Sequence, residues 1–314
     1  MTKPPLLSIE KLSKIFRLKG RGYAAVDELS LQLFAGEVLS VVGESGSGKS
    51  TLARCIMGLE DKTAGEIRYH SRSLPISYRR KDFLWQADKM QMVFQDSGSS
   101  LNPKMTVREL LKEPLMLLGR PVLARDLQAI LTAVNLPLSC LERYPHEFSG
   151  GQRQRLGIAR ALISQPDLLV CDEAVSALDV SVQAQVVNLL LSLKSQLGLT
   201  MLFIAHDLSV VRYISDRVAV MYRGQLMELA DTETLFTQAR HPYTQRLLAA
   251  NPVADPNTIL APIRHVETTS STDLAESNGC QFAPLCSLRQ DICWQERPQL
   301  QKQGGSQLAC HAYS

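Results

Sequence analysis

The sequence lacks any apolar run that approaches the ~18 residues a membrane-spanning helix needs. Residues 1–10 contain Lys3 and two prolines, but no apolar stretch long enough for a secretory signal peptide. Both absences predict a soluble, cytosolic protein. A reducing compartment also argues against disulfides among the seven cysteines.

An excess of charge of one sign is also missing, since 34 basic residues face 31 acidic residues and the formal net charge is +3. The field needed to attract nucleic acid is therefore absent, and we expect no nucleic-acid partner. The basic run 79–81 is interpreted as a solvated face. With 314 residues and 45% hydrophobic content, the chain can build one large domain or two smaller ones.

The most informative stretch is the phosphate loop, residues 43–51, which matches the pattern G-x-x-x-x-G-K-[ST] in full. Its glycines let successive backbone N–H groups point at an anion, its lysine adds a positive charge, and its first hydroxyl residue can contact Mg²⁺. The apolar run 37–42 before it predicts a buried strand, and 51–59 predict a helix whose N-terminus faces the phosphates. The predicted nucleotide-binding residues here are Gly43, Glu44, Ser45, Gly46, Ser47, Gly48, Lys49, Ser50 and Thr51.

Alternating apolar residues in 7–18 and 25–34 predict an antiparallel β element before the phosphate loop. Phe16 and Tyr23 in these stretches are candidates for stacking on a purine, and both are equally compatible with ordinary positions in a sheet. Helical periodicity dominates residues 107–142 and predicts a separate helical lobe.

A second anion site is predicted where Ser149, Gly150 and Gly151 begin a helix, because a capping hydroxyl, unhindered backbone and the helix dipole all favour an anion. Since the phosphate loop is already one such element, the chain has two.

Two adjacent carboxylates, Asp172 and Glu173, end the apolar run 167–171. Neighbouring acids at a strand end are costly unless they serve different partners, which Mg²⁺ and an attacking water supply. The next apolar run, 200–205, ends at His206. We interpret this histidine as a contact to the γ-phosphate.

Together these motifs, in this order, resemble the ATP-binding cassette of ABC transporters over roughly residues 7–235. Within that family, the segments 93–96, 100–103, 144–148 and 241–244 resemble the ATPases of oligopeptide, dipeptide and nickel importers. Ala174 departs from the family pattern, which usually has proline after the acidic pair.

The resemblance implies an α/β fold, with an ABC-type P-loop NTPase core, an N-terminal antiparallel β element, a helical lobe and a small cysteine-rich C-terminal extension. The implied ATPase domain spans residues 1–240, with the helical lobe at about 100–160. The extension spans residues 241–314.

The resemblance also implies a role for each candidate residue in ATP hydrolysis. Phe16 contacts adenine, Glu173 activates the attacking water, and Lys49 and His206 stabilise the transferring phosphoryl group. Mg²⁺ is held by Ser50, Gln95 and Asp172. The residues implied to complete the ATP site of a facing cassette are Ser149, Gly150, Gly151 and Gln152, with Asp179 at the same interface.

The implied function is that of an ATPase subunit powering solute import, with di- and oligopeptides as the first expectation. Its implied partners are a second ATPase, identical or related, two membrane permease subunits and, indirectly, a solute-binding protein, at the cytoplasmic face of the inner membrane. Nickel, a metal chelate or an opine-like compound stays open as cargo. Cassettes for DNA repair or translation, fused exporters and a redox-responsive binding module fit less well, because the chain has one cassette, no spanning helix and a complete Glu173–His206 pair.

The polar stretch 267–272 has the composition of a linker and leads to Cys280, Cys286, Cys293 and Cys310. Five, six and sixteen residues separate these cysteines, and the short spacing typical of zinc sites is absent. The importer family carries a similar tail that binds a [4Fe–4S] cluster, and four cysteines suit that group. His311, beside Cys310, is a candidate competing ligand. Zinc and four free thiols are the alternatives to the cluster.

Overall fold

A computed structural model describes residues 4–18, 21–95, 100–250 and 279–313 of the chain. Asp96, which belongs to one of the family-like segments, and the stretch 267–272, interpreted as a linker, lie outside these described residues.

The described strands, in chain order, are β1 (Pro5–Leu18), β2 (Arg21–Phe34), β3 (Val38–Val42), β4 (Ala64–Tyr69), β5 (Arg72–Ser73), β6 (Met90–Val93), β7 (Leu168–Asp172), β8 (Thr200–Ile204), β9 (Arg217–Tyr222), β10 (Gln225–Asp231), β11 (Gln301–Gln303) and β12 (Ser306–Leu308). The described α-helices are α1 (Lys49–Ile56), α2 (Arg80–Lys89), α3 (Val107–Leu117), α4 (Ala124–Ala133), α5 (Gly150–Leu162), α6 (Val180–Leu197), α7 (Leu208–Ile214), α8 (Thr232–Gln238), α9 (Pro242–Ala249) and α10 (Ile292–Gln295).

These strands form two sheets. The smaller has the order β2-β1-β4-β5, and its β1–β2 and β1–β4 pairs are antiparallel, as the alternating apolar pattern predicts. The larger has the order β11-β12-β10-β9-β3-β8-β7-β6, in which the strands from β9 to β6 run parallel. Since parallel strands end at one edge of a sheet, the loops after β3, β7 and β8 meet there.

Strands β3, β7 and β8 of the larger sheet are buried on both faces, because successive side chains point to opposite sides and each side is covered by other elements. In β3, Val38 and Val42 pack with the helices α3, α5 and α6, whereas Leu39 and Val41 pack against the smaller sheet and α1. This two-sided burial gives the loops at the strand ends a rigid base.

Local signals placed most element boundaries within a few residues. The predicted helix 51–59 starts earlier, at Lys49, and ends at Ile56, because Gly58 takes a left-handed backbone with φ +66°. Strand β6 ends at Val93, two residues before Gln95. The helical stretch 107–142 consists of α3, α4 and the 3-10 turn Leu138–Glu142, with Gly119 at φ +68° after α3.

The C-terminal segment packs onto the larger sheet. Strand β12 pairs antiparallel with β10, and Cys280, Phe282 and Cys293 belong to the same hydrophobic core as the helical layer. Arg297 forms an ion pair with Asp27 of β2 over 3.1 Å. None of the helices in the described ranges has the length and apolar character needed to cross a bilayer.

Candidate ATP site

The phosphate loop connects β3 to α1 at the carboxyl edge of the larger sheet. Two of its glycines are required by close contacts. A Cβ on Gly43 would lie 2.1 Å from the Met221 carbonyl oxygen, and a Cβ on Gly48 would lie 2.0 Å from the Ala25 carbonyl oxygen. Both also have positive φ angles, so the tight loop depends on glycine at these positions.

Lys49 is the charged group of this loop, and it is buried. Its Nζ donates to the carbonyl oxygens of Gly43 and Glu44, over 2.8 and 2.9 Å. Burial lowers the pKa of the Lys49 ammonium, while the Glu173, Asp172 and Glu44 carboxylates raise it. The ammonium is thus held within the loop, where the lysine of a phosphate loop binds the phosphates of a nucleotide.

Ser50 and Asp172, 122 residues apart, meet at the ends of the phosphate loop and β7. The Ser50 hydroxyl donates to Asp172 Oδ1 over 2.8 Å. Burial raises the pKa of the Asp172 carboxyl, and the hydrogen bond from Ser50 opposes that shift. A hydroxyl and a carboxylate side by side are oxygen ligands of the kind that Mg²⁺ prefers.

Glu173 lies near two further candidate residues, Gln95 and His206. Its Oε2 accepts a hydrogen bond from Gln95 Nε2 over 2.8 Å and lies 3.9 Å from His206 Nδ1. Of the three residues expected to hold Mg²⁺, Ser50 and Asp172 are therefore paired, while the Gln95 amide is directed to Glu173.

The Glu173 backbone has a φ of 48°, which is uncommon for a residue with a side chain. Its N–H donates to the Ile204 carbonyl over 2.9 Å, and its own carbonyl accepts from the Ser176 hydroxyl over 2.9 Å. Strained backbone of this kind persists where surrounding contacts fix it, and it is concentrated at functional sites.

Phe16 and Tyr23 are register partners across β1 and β2, and both rings are exposed. The Tyr23 hydroxyl donates to the Gly46 carbonyl oxygen over 3.2 Å. Lys14 Nζ lies 4.6 Å from the centre of the Phe16 ring. Tyr23 thus contacts the phosphate loop itself, which the stacking hypothesis did not anticipate.

The 149–152 segment caps α5 as predicted. The Ser149 hydroxyl accepts from Gln152 N–H, and the Gln152 side chain accepts from Ser149 N–H over 3.0 Å. A Cβ on Gly151 would lie 2.3 Å from Val182 Cγ1 of α6, the helix that Asp179 precedes. Among the described residues, the side-chain hydrogen bonds of Ser149 and Gln152 join these two residues and do not reach the phosphate loop.

Comparison with known proteins identifies the family. The protein family described as ABC transporter matches residues 26–176, and the family described as Oligopeptide/dipeptide transporter, C-terminal region, matches residues 227–293. The putative oligopeptide transport ATP-binding protein YkfD of Bacillus subtilis is 45% identical, over 100% of this chain and 97% of its own length. This chain belongs to the ATP-binding subunits of ABC transporters.

A further curated relative and a solved structure support the same family and fold. The oligopeptide transport ATP-binding protein OppF of Haemophilus influenzae is 43% identical, over 96% of this chain and 92% of its own length. A solved dimeric ATP-binding cassette in a post-hydrolysis state with ADP and phosphate has a TM-score of 0.66 and 26% identity, over 72% of this chain and 98% of that one. The P-loop ATPase fold expected from the sequence is thereby confirmed, and the chain is an ABC-type ATPase.

The four C-terminal cysteines of this ABC subunit lie near one another. Cys280 and Cys293 are buried, and Cys280 N–H donates to the Cys293 carbonyl over 2.8 Å. The pKa of the Cys280 thiol is raised to about 11, mainly by burial and to a smaller extent by Cys293, Cys286 and Cys310. Within the described ranges, however, no group of three or more His, Cys, Asp or Glu side chains has an arrangement that could hold a metal ion. A metal centre in this extension is therefore not confirmed.

His311, the candidate competing ligand, has its ring Nε2 2.9 Å from the Glu296 carbonyl oxygen. Sequence reasoning also missed Tyr243, whose hydroxyl accepts from the Glu44 N–H in the phosphate loop over 3.0 Å. Residues 241–244 contributed only to the family resemblance. An aromatic hydroxyl inside that family-like segment was the available signal.

Proposed function

We propose that this chain is the ATP-hydrolysing subunit of a peptide importer and acts on a separate membrane permease. The observation that carries the proposal is the convergence of Lys49, the Ser50–Asp172 pair and the Gln95–Glu173–His206 group at one edge of a parallel sheet. Support for peptides as cargo comes from relatives named as oligopeptide transport proteins, which match over nearly the whole chain.

In this proposal the backbone N–H groups of the phosphate loop and Lys49 bind the phosphates of ATP, and Phe16 packs on the adenine. Ser50 and Asp172, with Gln95 nearby, would hold Mg²⁺, which neutralises phosphate charge when it is bound. Glu173 is the general base that orients and deprotonates the attacking water. His206 donates to the γ-phosphate as negative charge develops there.

A second cassette completes the site in this proposal. Ser149 and Gln152 form an exposed helix cap whose glycines lie near Leu178 and Val182, and their side-chain hydrogen bonds stay within the cap. Such a cap presents free N–H groups and the positive end of a helix to an anion from outside. We therefore assign Ser149, Gly150, Gly151 and Gln152 to the ATP of a facing subunit, either a copy of this chain or a related ATPase.

The permease is proposed to dock in a groove of 740 Å³ between α2, β6, α3 and α5, here called the docking groove. Exposed apolar side chains line it, including Phe83, Phe94 and Leu117, and charged Arg80 and Glu113 lie among them. Its wall runs through Phe94 to the neighbouring Gln95, which bonds the proposed base. An amphipathic cytoplasmic helix of the permease fits this mixture of apolar floor and charged rim, at the inner face of the membrane.

The transport proposal is tested in a bacterium whose own copy of this gene is deleted. Uptake of radiolabelled trialanine and of radioactive nickel is measured after complementation with the wild-type chain or with the Glu173→Gln variant. We expect trialanine uptake to return with the wild-type chain alone. Restoration of nickel uptake without trialanine uptake would instead identify a metal importer.

The docking groove is tested by Leu117→Asp, which places a charge on its exposed apolar lining. We expect intact ATP binding by the isolated subunit but lost peptide uptake and lost co-purification with the permease. Leu197→Asp is the matched control, because Leu197 is also an exposed leucine at a helix end but does not line the groove. Equal uptake by the two variants would contradict this docking site.

We propose that residues 279–313, from here on called the cysteine extension, hold a [4Fe–4S] cluster through Cys280, Cys286, Cys293 and Cys310. Four cysteines in one segment, close enough to influence the Cys280 thiol, supply the donor type that such a cluster needs, although their described arrangement does not form a metal site. The proposal rests on donor type and proximity, and it assigns the cluster a structural role in the extension.

Anaerobically purified protein should be brown and contain about four iron and four acid-labile sulfide per chain. Cys280→Ser should lose both, whereas Cys55→Ser, at a buried cysteine far from the extension in sequence, should retain them. Stoichiometric zinc would favour a zinc site, and colourless metal-free protein would favour free thiols. Either result contradicts the cluster.

A further inference from the structure

One peptide unit of the phosphate loop is held from both ends. Its N–H, from Glu44, donates to the Tyr243 hydroxyl over 3.0 Å, and its C=O, from Gly43, accepts from Lys49 Nζ over 2.8 Å. Because a peptide unit is planar, fixing the N–H direction also fixes the carbonyl that the lysine contacts. Tyr243 therefore acts on the orientation of Lys49 through a single rigid group.

Tyr243 is itself placed by buried contacts around the start of α9. The Tyr243 backbone N–H donates to the ring Nδ1 of His241 over 3.0 Å, and the backbone N–H of His241 donates to the Glu228 carboxylate over 3.1 Å. Tyr243, His241 and Glu228 are all buried. Burial raises the pKa of the Tyr243 phenol, so the hydroxyl stays uncharged near neutral pH. The hydroxyl is thus presented to the phosphate loop at a fixed position.

The ring of Tyr243 also contacts the cysteine extension. Its centre lies 5.4 Å from that of Phe282, the aromatic residue between Cys280 and Cys286, and 4.6 Å from that of Tyr222. Phe282 is fully inside the core and packs edge-on against Tyr222 as well. A change in the packing of the cysteine extension would therefore shift Phe282 and, through it, the position of Tyr243, whose hydroxyl contacts the phosphate loop.

We propose that Tyr243 is a positioning residue for the phosphate loop, and that Phe282 makes nucleotide affinity depend on the packing of the cysteine extension. This inference rests on the proposed role of the phosphate loop in binding ATP. Loss of the Tyr243 hydroxyl frees the Gly43–Glu44 peptide, so that one of the two carbonyl acceptors of Lys49 is no longer held in place and the loop must be ordered when nucleotide binds.

The first test measures MgADP affinity of the full-length protein by calorimetry, since ADP is not hydrolysed. Tyr243→Phe should weaken binding about three- to tenfold, the effect of one hydrogen bond in such a site. Tyr222→Phe is the matched control, because it removes a hydroxyl from the same aromatic cluster, and it should stay within about twofold of wild type. Wild-type affinity of Tyr243→Phe, or equal losses in both variants, would overturn the proposal.

Two further readouts separate positioning from general stability. Deuterium uptake by the peptide that contains residues 43–51 should rise in Tyr243→Phe and not in Tyr222→Phe. Lys49→Ala, measured in parallel, should lose most MgADP binding. If Lys49→Ala binds normally, the phosphate loop is not the nucleotide site and the proposed function fails, whereas normal binding by Tyr243→Phe alone rejects only the present inference.

The role of Phe282 is tested by Phe282→Leu and by the double variant with Tyr243→Phe. Phe282→Leu should also weaken MgADP binding, because the ring that supports Tyr243 is gone. If the Phe282→Leu substitution acts through the Tyr243 hydroxyl, the MgADP affinity of the double variant should match that of Tyr243→Phe within about twofold. Additive losses in the double variant, or wild-type affinity of Phe282→Leu, would show that the extension does not act through Tyr243.

Discussion

The Gln95 side-chain amide donates to the Glu173 carboxylate over 2.8 Å, so the proposed base is held by the residue two positions after β6. Phe94, next to Gln95, lines the docking groove. Phe94 of the groove is therefore directly bonded in sequence to Gln95, the hydrogen-bond donor to the proposed base. A partner that moves Phe94 can alter the position of Gln95 and, through it, the availability of Glu173.

Glu173→Gln should bind ATP but lose hydrolysis by about 10²–10⁴-fold, because an amide cannot accept the proton of the attacking water. Phosphate release measures the rate, and size-exclusion chromatography with ATP should show a persistent dimer. Glu233→Gln, at an exposed acid on α8, is the control and should hydrolyse normally. A wild-type rate in Glu173→Gln would refute the assignment of the base.

Lys49→Ala should weaken ATP binding itself, because the phosphate charge loses its partner in the ground state and the transition state alike. Calorimetry with ATP measures this loss directly. Lys104→Ala removes an exposed lysine near α3 and should leave the affinity unchanged. The assignment of Lys49 fails if both variants bind ATP as the wild type does.

Gly48→Ala should abolish nucleotide binding and reduce stability, because its Cβ would lie 2.0 Å from the Ala25 carbonyl at a φ of +99°. Gly36→Ala is a matched control with a similar φ of +81° and no atom within 4 Å of the added Cβ. The control should cost only the ~1–2 kcal/mol of a left-handed alanine and should keep nucleotide binding. Melting temperature and MgADP affinity of both variants check this difference.

His241 should make the protein less stable in mild acid. Burial lowers the pKa of His241 from 6.5 to about 4. Between these values the unfolded chain binds more protons than the folded one, so stability falls as the pH drops, by up to about 1.4 kcal/mol per pH unit. Above pH 6.5, the pKa of the histidine in the unfolded chain, His241 causes no loss of stability.

His241→Asn keeps a side-chain acceptor for the Tyr243 N–H at the start of α9 and does not titrate in this range. Urea unfolding of both proteins at several pH values should give a shallower acid decline for the variant. Parallel declines would mean that other groups cause the acid sensitivity.

The sequence alone determined the local parts of this protein. The phosphate loop, the strand before it, the helix after it and the cap at Ser149 follow from glycine positions, apolar period and capping residues that lie within a few positions of one another. The family pattern also related Ser50 to Asp172 across 122 residues, and the structure places them 2.8 Å apart.

Only the tertiary structure decided which distant groups touch. The Tyr243 contact to Glu44 joins residues 199 positions apart, and the Gln95 contact to Glu173 joins residues 78 apart. Neither follows from local propensity, because each depends on which strands are neighbours in the sheet and on how the chain after β10 returns to it. The pairing of β12 with β10 and the packing of Phe282 beside Tyr243 are likewise tertiary, and they place a tail remote in sequence next to the residue that contacts the phosphate loop.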